Sequence, residues 1–324
     1  MLTYIVRRLL YSIPVLVATS FIIFVFVSIS GDPLAQVRMI PDVDQSSIQS
    51  LIEEKHLDDP LVVRYGYWVK DAVTQGFGTR LLSEREIWPD LTRALGNTMQ
   101  LIIAAELLAV LLAIAIGVYS AVRQYSIFDY TSTAFTFLGF ATPIFWLALM
   151  LQVAVVALFN ATGVRIFYIA QLSSVDPGHG VHFLLDRMQH LALPVTTLVV
   201  VSVAGYSRFM RASMLEVINS DYVRTARAKG LNEGRVIMRH AFRNALIPLT
   251  TLVALDVGTL FGGAIVTETI FALDGMGLYF IGALQERDTY AIMAWLMVTS
   301  IMIVIGNLLA DIIYGYLDPR IRYD

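Results

Sequence analysis

The chain has 324 residues and a formal net charge of −3; 57% of its residues are apolar and only 15% are charged. Mean hydropathy is +0.67, a balance that excludes an ordinary soluble domain, where about 25% of residues carry charge. The chain contains no cysteine, which removes disulfide frameworks and thiolate metal sites from consideration, and no nucleic-acid partner is expected.

Crossing about 30 Å of hydrocarbon takes about 20 apolar residues at about 1.5 Å rise each. Six runs stand out, over residues 9–29, 99–122, 131–159, 191–206, 245–271 and 291–317. The fourth is short and is opened by Pro194. Unpaired backbone groups are too costly in lipid, so spans are helices or closed barrels, and these runs lack the alternation of barrel strands. The expected fold is an all-α membrane protein with six transmembrane helices.

In chain order, Arg7 and Arg8 precede the first run as they would in a secretory signal. The run is long and Ser28-Ile29-Ser30 is a faint cleavage site, so residues 1–30 are expected to form an uncleaved signal anchor. Residues 31–98 follow as an extracytoplasmic loop subdomain. Within it, Asp44 ahead of Ile48, Leu51 and Ile52 predicts a capped amphipathic helix, and residues 60–70 predict a second. Residues 99–317 are expected to form the five-helix core, with a long loop at 208–244, and residues 318–324 a cytoplasmic tail.

Lys and Arg concentrate on the cytoplasmic side in short loops and near helix ends. One set comprises Arg7, Arg8, Arg123, the eight cations from Arg208 to Arg243, and Arg320 and Arg322, whereas the short loops of the other face hold only Arg165, Arg187 and Arg287. The 31–98 loop carries seven cations but also eleven acids, and it exceeds the length of about 60 residues beyond which loops translocate regardless of charge. Both termini are therefore expected in the cytoplasm.

The stretch DYVRTARAKGLNEGRVIMRHAFRNALIP, from Asp221 to Pro248, carries two helical signatures. Asp221 is placed to cap a helix that ends where Lys229 meets Gly230, and Asn232 to cap the next, which runs through Arg239 and His240 towards Pro248. Spacing puts Tyr222, Ala226 and Lys229 on one face, with Arg224 and Arg227 pointing away. The cations either satisfy the positive-inside bias and touch lipid phosphates or meet a protein partner.

DYVRTARAKG followed by HAFRNALIP resembles the cytoplasmic signature of ABC-transporter permeases in the dipeptide, oligopeptide and nickel branch. YIVRRLLYSIPVL, GDPLA, HLDDPL, ATPIFWLALML, ETIFALDGMG and LDPRIRYD carry the resemblance along almost the whole chain. It implies a permease subunit in a prokaryotic inner membrane, one half of a translocation path for oligopeptides or dipeptides. Asp221, Tyr222, Arg224, Thr225, Ala226, Arg227, Lys229 and Gly230 would form a coupling helix seated on an ATP-hydrolysing subunit. The branch pattern here has Arg224-Thr225-Ala226 where the wider family has Glu-Ala-Ala, so no weight falls on a glutamate contact. The resemblance further implies a second, similar permease, two ATP-binding subunits that hold ATP and Mg, and an extracytoplasmic peptide-binding protein. No GxxxxGK[ST] phosphate loop occurs in the chain, so no cofactor is expected in it and the energy is expected from a partner.

An ionised group at mid-span costs about 2.5 to 3.5 kcal/mol, so the acids Glu106, Asp256, Glu268 and Asp311 each need a reason. Asp256, followed by Gly258, Gly262 and Gly263, either lines a water-filled path or pairs with a polar neighbour, while the glycines predict close helix packing. Glu268 is expected to face an outer vestibule, and Asp311 to brace the cytoplasmic end against Arg320 or the loop. Pro143, inside the aromatic run 140–146, predicts a kink in the third span and a pathway contact in the minority reading. His179, His182 and His190 with Asp176 are too loose for a metal site. Within the class a nickel or nickel-chelate importer is the runner-up; an intramembrane aspartyl enzyme would need two acids in facing motifs, which the chain lacks.

Overall fold

The computed structural model describes residues 2–317 apart from 32, 35–36, 40–43, 82 and 261–263. The regular elements among the described residues are all helices, with one isolated bridge pairing Thr79 and Glu86 in place of a sheet. In order they form α1 (Leu2–Ile29), α2 (Gln45–Glu54), α3 (Leu61–Thr74), α4 (Ile87–Val122), α5 (Ile127–Ala141), α6 (Ile144–Thr162), α7 (Val181–Ile218), α8 (Asp221–Ala228), α9 (Glu233–Arg235), α10 (Phe242–Leu260), α11 (Ile265–Ile270), α12 (Met276–Gln285) and α13 (Thr289–Leu317). Five helices among the described residues are long and apolar enough to cross a membrane, drawn from α1, α4, α6, α7 and α13.

Two of the six expected spans are not single helices. The run 131–159 breaks into α5 and α6, because Pro143 excludes the helical region for its predecessor: Thr142 is extended, with φ −80° and ψ 121°, and Pro143 becomes the N-cap of α6. A kink was the expectation; the observed device is a full break. The run 245–271 likewise divides into α10 and the short α11. The short fourth run is the middle of α7, a 38-residue helix about 57 Å long. The helix continues through Pro194, since a proline removes only one backbone bond and Leu193, Val195 and Leu198 around it are buried.

α7 lies parallel to α4 along its length. Arg187 near the start of α7 donates to Gln100 and Asn97 of α4 at 3.0 and 3.3 Å, Tyr206 meets Glu106 halfway, and Arg211 lies beside Asp129 and Ser120 beyond. This ordering defines two ends of the bundle. α8 and the basic loop occupy one; α2, α3, α11 and α12 occupy the other.

The main core joins α4, α7, α8, α10 and α11 through Leu101, Met210, Met214, Val236, Leu249 and Phe271. A second core, built on Phe24, Trp68, Leu91, Met276 and Trp295, fastens α1, α3, α12 and α13 together. α10 meets α13 where Gly258 faces Gly306; a Cβ added at Gly306 would lie 3.0 Å from the Gly258 Cα. The expected close packing is therefore made by Gly258, while Gly262 and Gly263 lie outside the described residues. Of α6 only Ala148 is buried, and α1 leaves Leu10, Ile22 and Phe26 exposed, the surface of helices that face an apolar medium or another chain.

The 31–98 segment matches its sequence signals closely. Asp44 caps α2, accepting from the Ser46 amide at 3.3 Å and its hydroxyl at 2.5 Å. Pro60 sits immediately before α3.

Candidate coupling and translocation site

At the basic end, α8 is capped one residue earlier than its sequence suggests. Ser220 is the extended N-cap, and Asp221 becomes the first helical residue, where its charge complements the positive end of the helix. Lys229 closes the helix, and Gly230 follows at φ +73°, a conformation a non-glycine residue adopts only at a cost. Asn232 accepts from the Gly234 amide at 2.9 Å as expected. The second helix is only the single turn α9. It runs through a π-helical turn, Val236–Ala241, into α10, and Pro248 lies inside α10 rather than at its entry.

The faces of α8 differ from the expected arrangement. Val223 and Ala226 are buried at 0% and 6% exposure, packed with Met214, Val236 and Ala241. The small Ala226 side chain therefore serves contact with the chain's own core. Tyr222 stays exposed and its hydroxyl accepts from Asn244 Nδ2 at 2.9 Å. Arg227 is held by Glu233 at 2.7 Å and reaches the Ile218 carbonyl at 3.3 Å. Asp221, Arg224, Thr225 and Lys229 are exposed and form the open face. Among the described residues the Arg224 guanidinium has one ion-pair partner, Asp221, at 3.4 Å across a highly exposed pair. α8 is thus a short helix anchored by two apolar side chains and a charged bridge, with cations turned outward.

Behind it lies a knot that sequence reasoning missed. Asp129 of α5 is 3% exposed and accepts two bonds from Arg211 of α7, at 2.7 and 2.8 Å. It accepts further from the Ser120 hydroxyl of α4 and the Tyr125 amide. The Arg211 guanidinium holds the Asp129 carboxyl well below the usual carboxylate range. Sequence shows Asp129 only as a first-turn acid three residues after Ser126, and nothing local points 82 residues on to Arg211.

Halfway along the bundle, Tyr206 of α7 stands between two carboxyls, its hydroxyl 2.8 Å from Asp256 of α10 and 3.1 Å from Glu106 of α4. Asp256 therefore has the polar neighbour of one alternative, and it is only partly buried, whereas Glu106 is buried. A phenol carries one proton, so a single donor serves two acids from different helices. The cluster ties α4, α7 and α10 together at one depth.

Glu268 does not face a vestibule. It is fully buried, accepting from the Thr98 hydroxyl at 2.6 Å and from the Gly277 and Leu278 amides at 2.6 and 3.3 Å. It caps α12 and holds it against α4, and the fixed acceptor geometry of a carboxylate at a helix N-terminus explains its position. Asp311 pairs with Arg8 of α1 at 2.7 Å; the expected partner Arg320 lies outside the described residues. His190 stacks on Tyr168 at 4.0 Å between centroids and lies 3.4 Å from the Ser174 hydroxyl, which donates to Asp186 at 2.6 Å. This pins the 163–180 loop to α7, and among the described residues no three metal-ligating groups come together.

These features define a helical membrane protein with an outward-facing charged element at one end and paired acids within the bundle. The model for the inner membrane component of binding-protein-dependent transport systems matches residues 113–323. The chain is 37% identical to the oligopeptide transport system permease protein AppB of Bacillus subtilis (strain 168), over 100% of both chains. It is 35% identical to the dipeptide transport system permease protein DppB of Escherichia coli (strain K12), over 100% of this chain and 99% of that one. With the oligopeptide transport system permease protein OppB of Mycobacterium tuberculosis (strain ATCC 25618 / H37Rv) identity is 34% over 99% of each. The chain belongs to the family of binding-protein-dependent transport system inner membrane components.

Proposed function

We propose that the chain is the permease subunit of an ATP-driven importer for oligopeptides or dipeptides, with α8 as the element that receives motion from an ATPase. The carrying observation is the division of α8 into an anchored face, Val223 and Ala226, and an open face, Asp221, Arg224, Thr225 and Lys229. Each of two ATP-binding subunits, holding ATP and Mg, seats one such helix. A second, similar permease completes the path, and an extracytoplasmic binding protein delivers the peptide. Full-length likeness to relatives named for oligopeptide and dipeptide transport supports the peptide reading over the nickel one.

In this reading α10, fifth in chain order, completes the six spans, and the basic end is cytoplasmic, supported by the cations from Arg208 to Arg243 gathered there. An acid at mid-span does not face lipid without a large cost, so the partly open side of Asp256 is turned to the path or to the partner permease. Closure of the ATPases moves α8, and the α9–α10 rod carries the displacement to Asp256.

The test exchanges charge on the open face alone. In the reconstituted assembly, Arg224→Glu with Lys229→Glu should leave the chain folded yet cut peptide-stimulated ATP hydrolysis and uptake at least tenfold. Wild-type uptake in that variant would remove the coupling role.

A further inference from the structure

At the end of the bundle opposite α8, a cavity of about 360 Å³ lies where the last turns of α1, the first turns of α13 and the face of α3 meet. Its lining joins two kinds of side chain. Phe24 and Trp68 give it an aromatic floor, and Arg64, Lys70 and Asp71 of α3 give it charged walls. Arg64, Trp68 and Asp71 follow one another at four and three residues, so they share one helix face. Lys55 also lines the cavity, but it is already paired with Glu54 at 2.9 Å. Among the described residues neither Arg64, Lys70 nor Asp71 has an ion-pair partner. The cavity therefore offers two uncommitted cations and one uncommitted acid, the pattern that receives a zwitterion rather than a simple anion.

Its surroundings place that zwitterion at a lipid surface. The rest of the lining includes Phe24, Val27, Thr289 and Met293, from the ends of two helices apolar enough to cross a membrane, residues 5–29 and 289–309. The Arg64 guanidinium lies 5.9 Å from the Phe24 ring centroid, with its stem along apolar surface and its charge at the boundary. Phe21, Phe24, Tyr65 and Trp68 pack together at centroid distances of 5.1 to 6.2 Å, with Phe24 and Trp68 buried and Phe21 exposed, so the cluster ties α3 to the end of a helix apolar enough to cross a membrane. α3 also turns Val62 and Val73 outward at 68% and 81% exposure, which suits a helix lying in the interface.

We propose that this cavity binds the headgroup of an aminophospholipid, with the phosphate at Arg64 and Lys70, the primary ammonium at Asp71, and the acyl chains running down the exposed flank of α1. Arg64 and Asp71 are two turns apart, about 10 Å along the helix, which suits a phosphate and an amine separated by two carbons with a hydrogen bond at each end. A choline headgroup cannot donate hydrogen bonds to Asp71, and a glycerol headgroup brings no cation.

Native mass spectrometry of the full chain in detergent, titrated with lipids of matched acyl chains, tests the assignment. Phosphatidylethanolamine should bind at least tenfold more tightly than phosphatidylcholine or phosphatidylglycerol. Asp71→Asn should abolish that preference, and Lys70→Gln, at an exposed position, should weaken all three several-fold with thermal unfolding of the chain unchanged. Glycerophosphoethanolamine, which lacks acyl chains, should bind far more weakly. Equal affinity of the wild type for ethanolamine and choline lipids, or an undiminished preference in Asp71→Asn, would overturn the proposal. Binding of glycerophosphoethanolamine as tight as that of the lipid would also overturn it and assign the site to a free zwitterion.

Discussion

Replacing Asp129 by alanine removes one half of the ion pair that joins α5 to α7 beneath the coupling element. Asp129 accepts from both Arg211 nitrogens, from Ser120 and from the Tyr125 amide, so the substitution strands the guanidinium and an amide together. Breaking a buried pair from one side costs about 3 to 5 kcal/mol. Here the Arg211 side chain is 28% exposed and regains some water, which sets the expected loss at the lower end, about 3 kcal/mol or roughly 100-fold in the folded-to-unfolded ratio. The paired change Asp129→Leu with Arg211→Met removes both charges and should recover all but about 1 kcal/mol. Equilibrium unfolding in detergent with a helical readout measures both variants. A loss below about 0.5 kcal/mol for Asp129→Ala, or a double variant worse than the single, would refute the reasoning. The pH dependence has a defined sign. The folded carboxyl titrates below its unfolded value, so the stabilisation is complete above about pH 5, is flat from there to pH 8, and is lost as pH falls through and below about 4.

Tyr206→Phe keeps the ring and deletes the hydroxyl shared by Glu106 and Asp256; a loss of about 1 to 3 kcal/mol in unfolding free energy is expected, with peptide uptake falling more than stability does. Glu268→Gln keeps an acceptor oxygen for the Gly277 and Leu278 amides but turns its NH2 towards the Thr98 hydroxyl, which loses its acceptor; it should cost about 1 to 2 kcal/mol and raise hydrogen exchange at the start of α12. Val223→Asp and Ala226→Asp bury a charge beneath α8, so both should lower thermal stability as well as uptake, in contrast to Arg224→Glu, which should lower uptake alone. Gly230→Pro, forced from φ +73° towards about −65°, should unseat the end of α8, seen as loss of protection there.

Much of the fold is legible in the residues. Apolar runs announce the membrane helices, and Asp44, Asn232 and Gly230 mark helix ends through local bonds and backbone angles that a sequence encodes directly. The breaks at Thr142 and Ala264 are less visible, because hydropathy counts apolar residues without regard to whether their backbone is continuous. The buried face of α8 is hidden from the sequence for a related reason. Helical spacing groups Tyr222, Ala226 and Lys229, but which group turns inward depends on Val236 and Ala241 from the next turn. Asp129 with Arg211, Glu268 with Thr98, and Tyr206 between two acids are 50 to 170 residues apart in sequence, and no local signal pairs them.

The central claim is that α8 transmits ATPase motion through its exposed cations to a peptide path. Its most direct measurement is ATP-dependent uptake of a labelled dipeptide or oligopeptide into vesicles containing the complete assembly, comparing wild type with Arg224→Glu/Lys229→Glu. The account predicts ATP-dependent peptide accumulation in the wild type and at least a tenfold loss in the variant, with the chain's unfolding unchanged. Accumulation that is independent of ATP, or equal in the two assemblies, would contradict it.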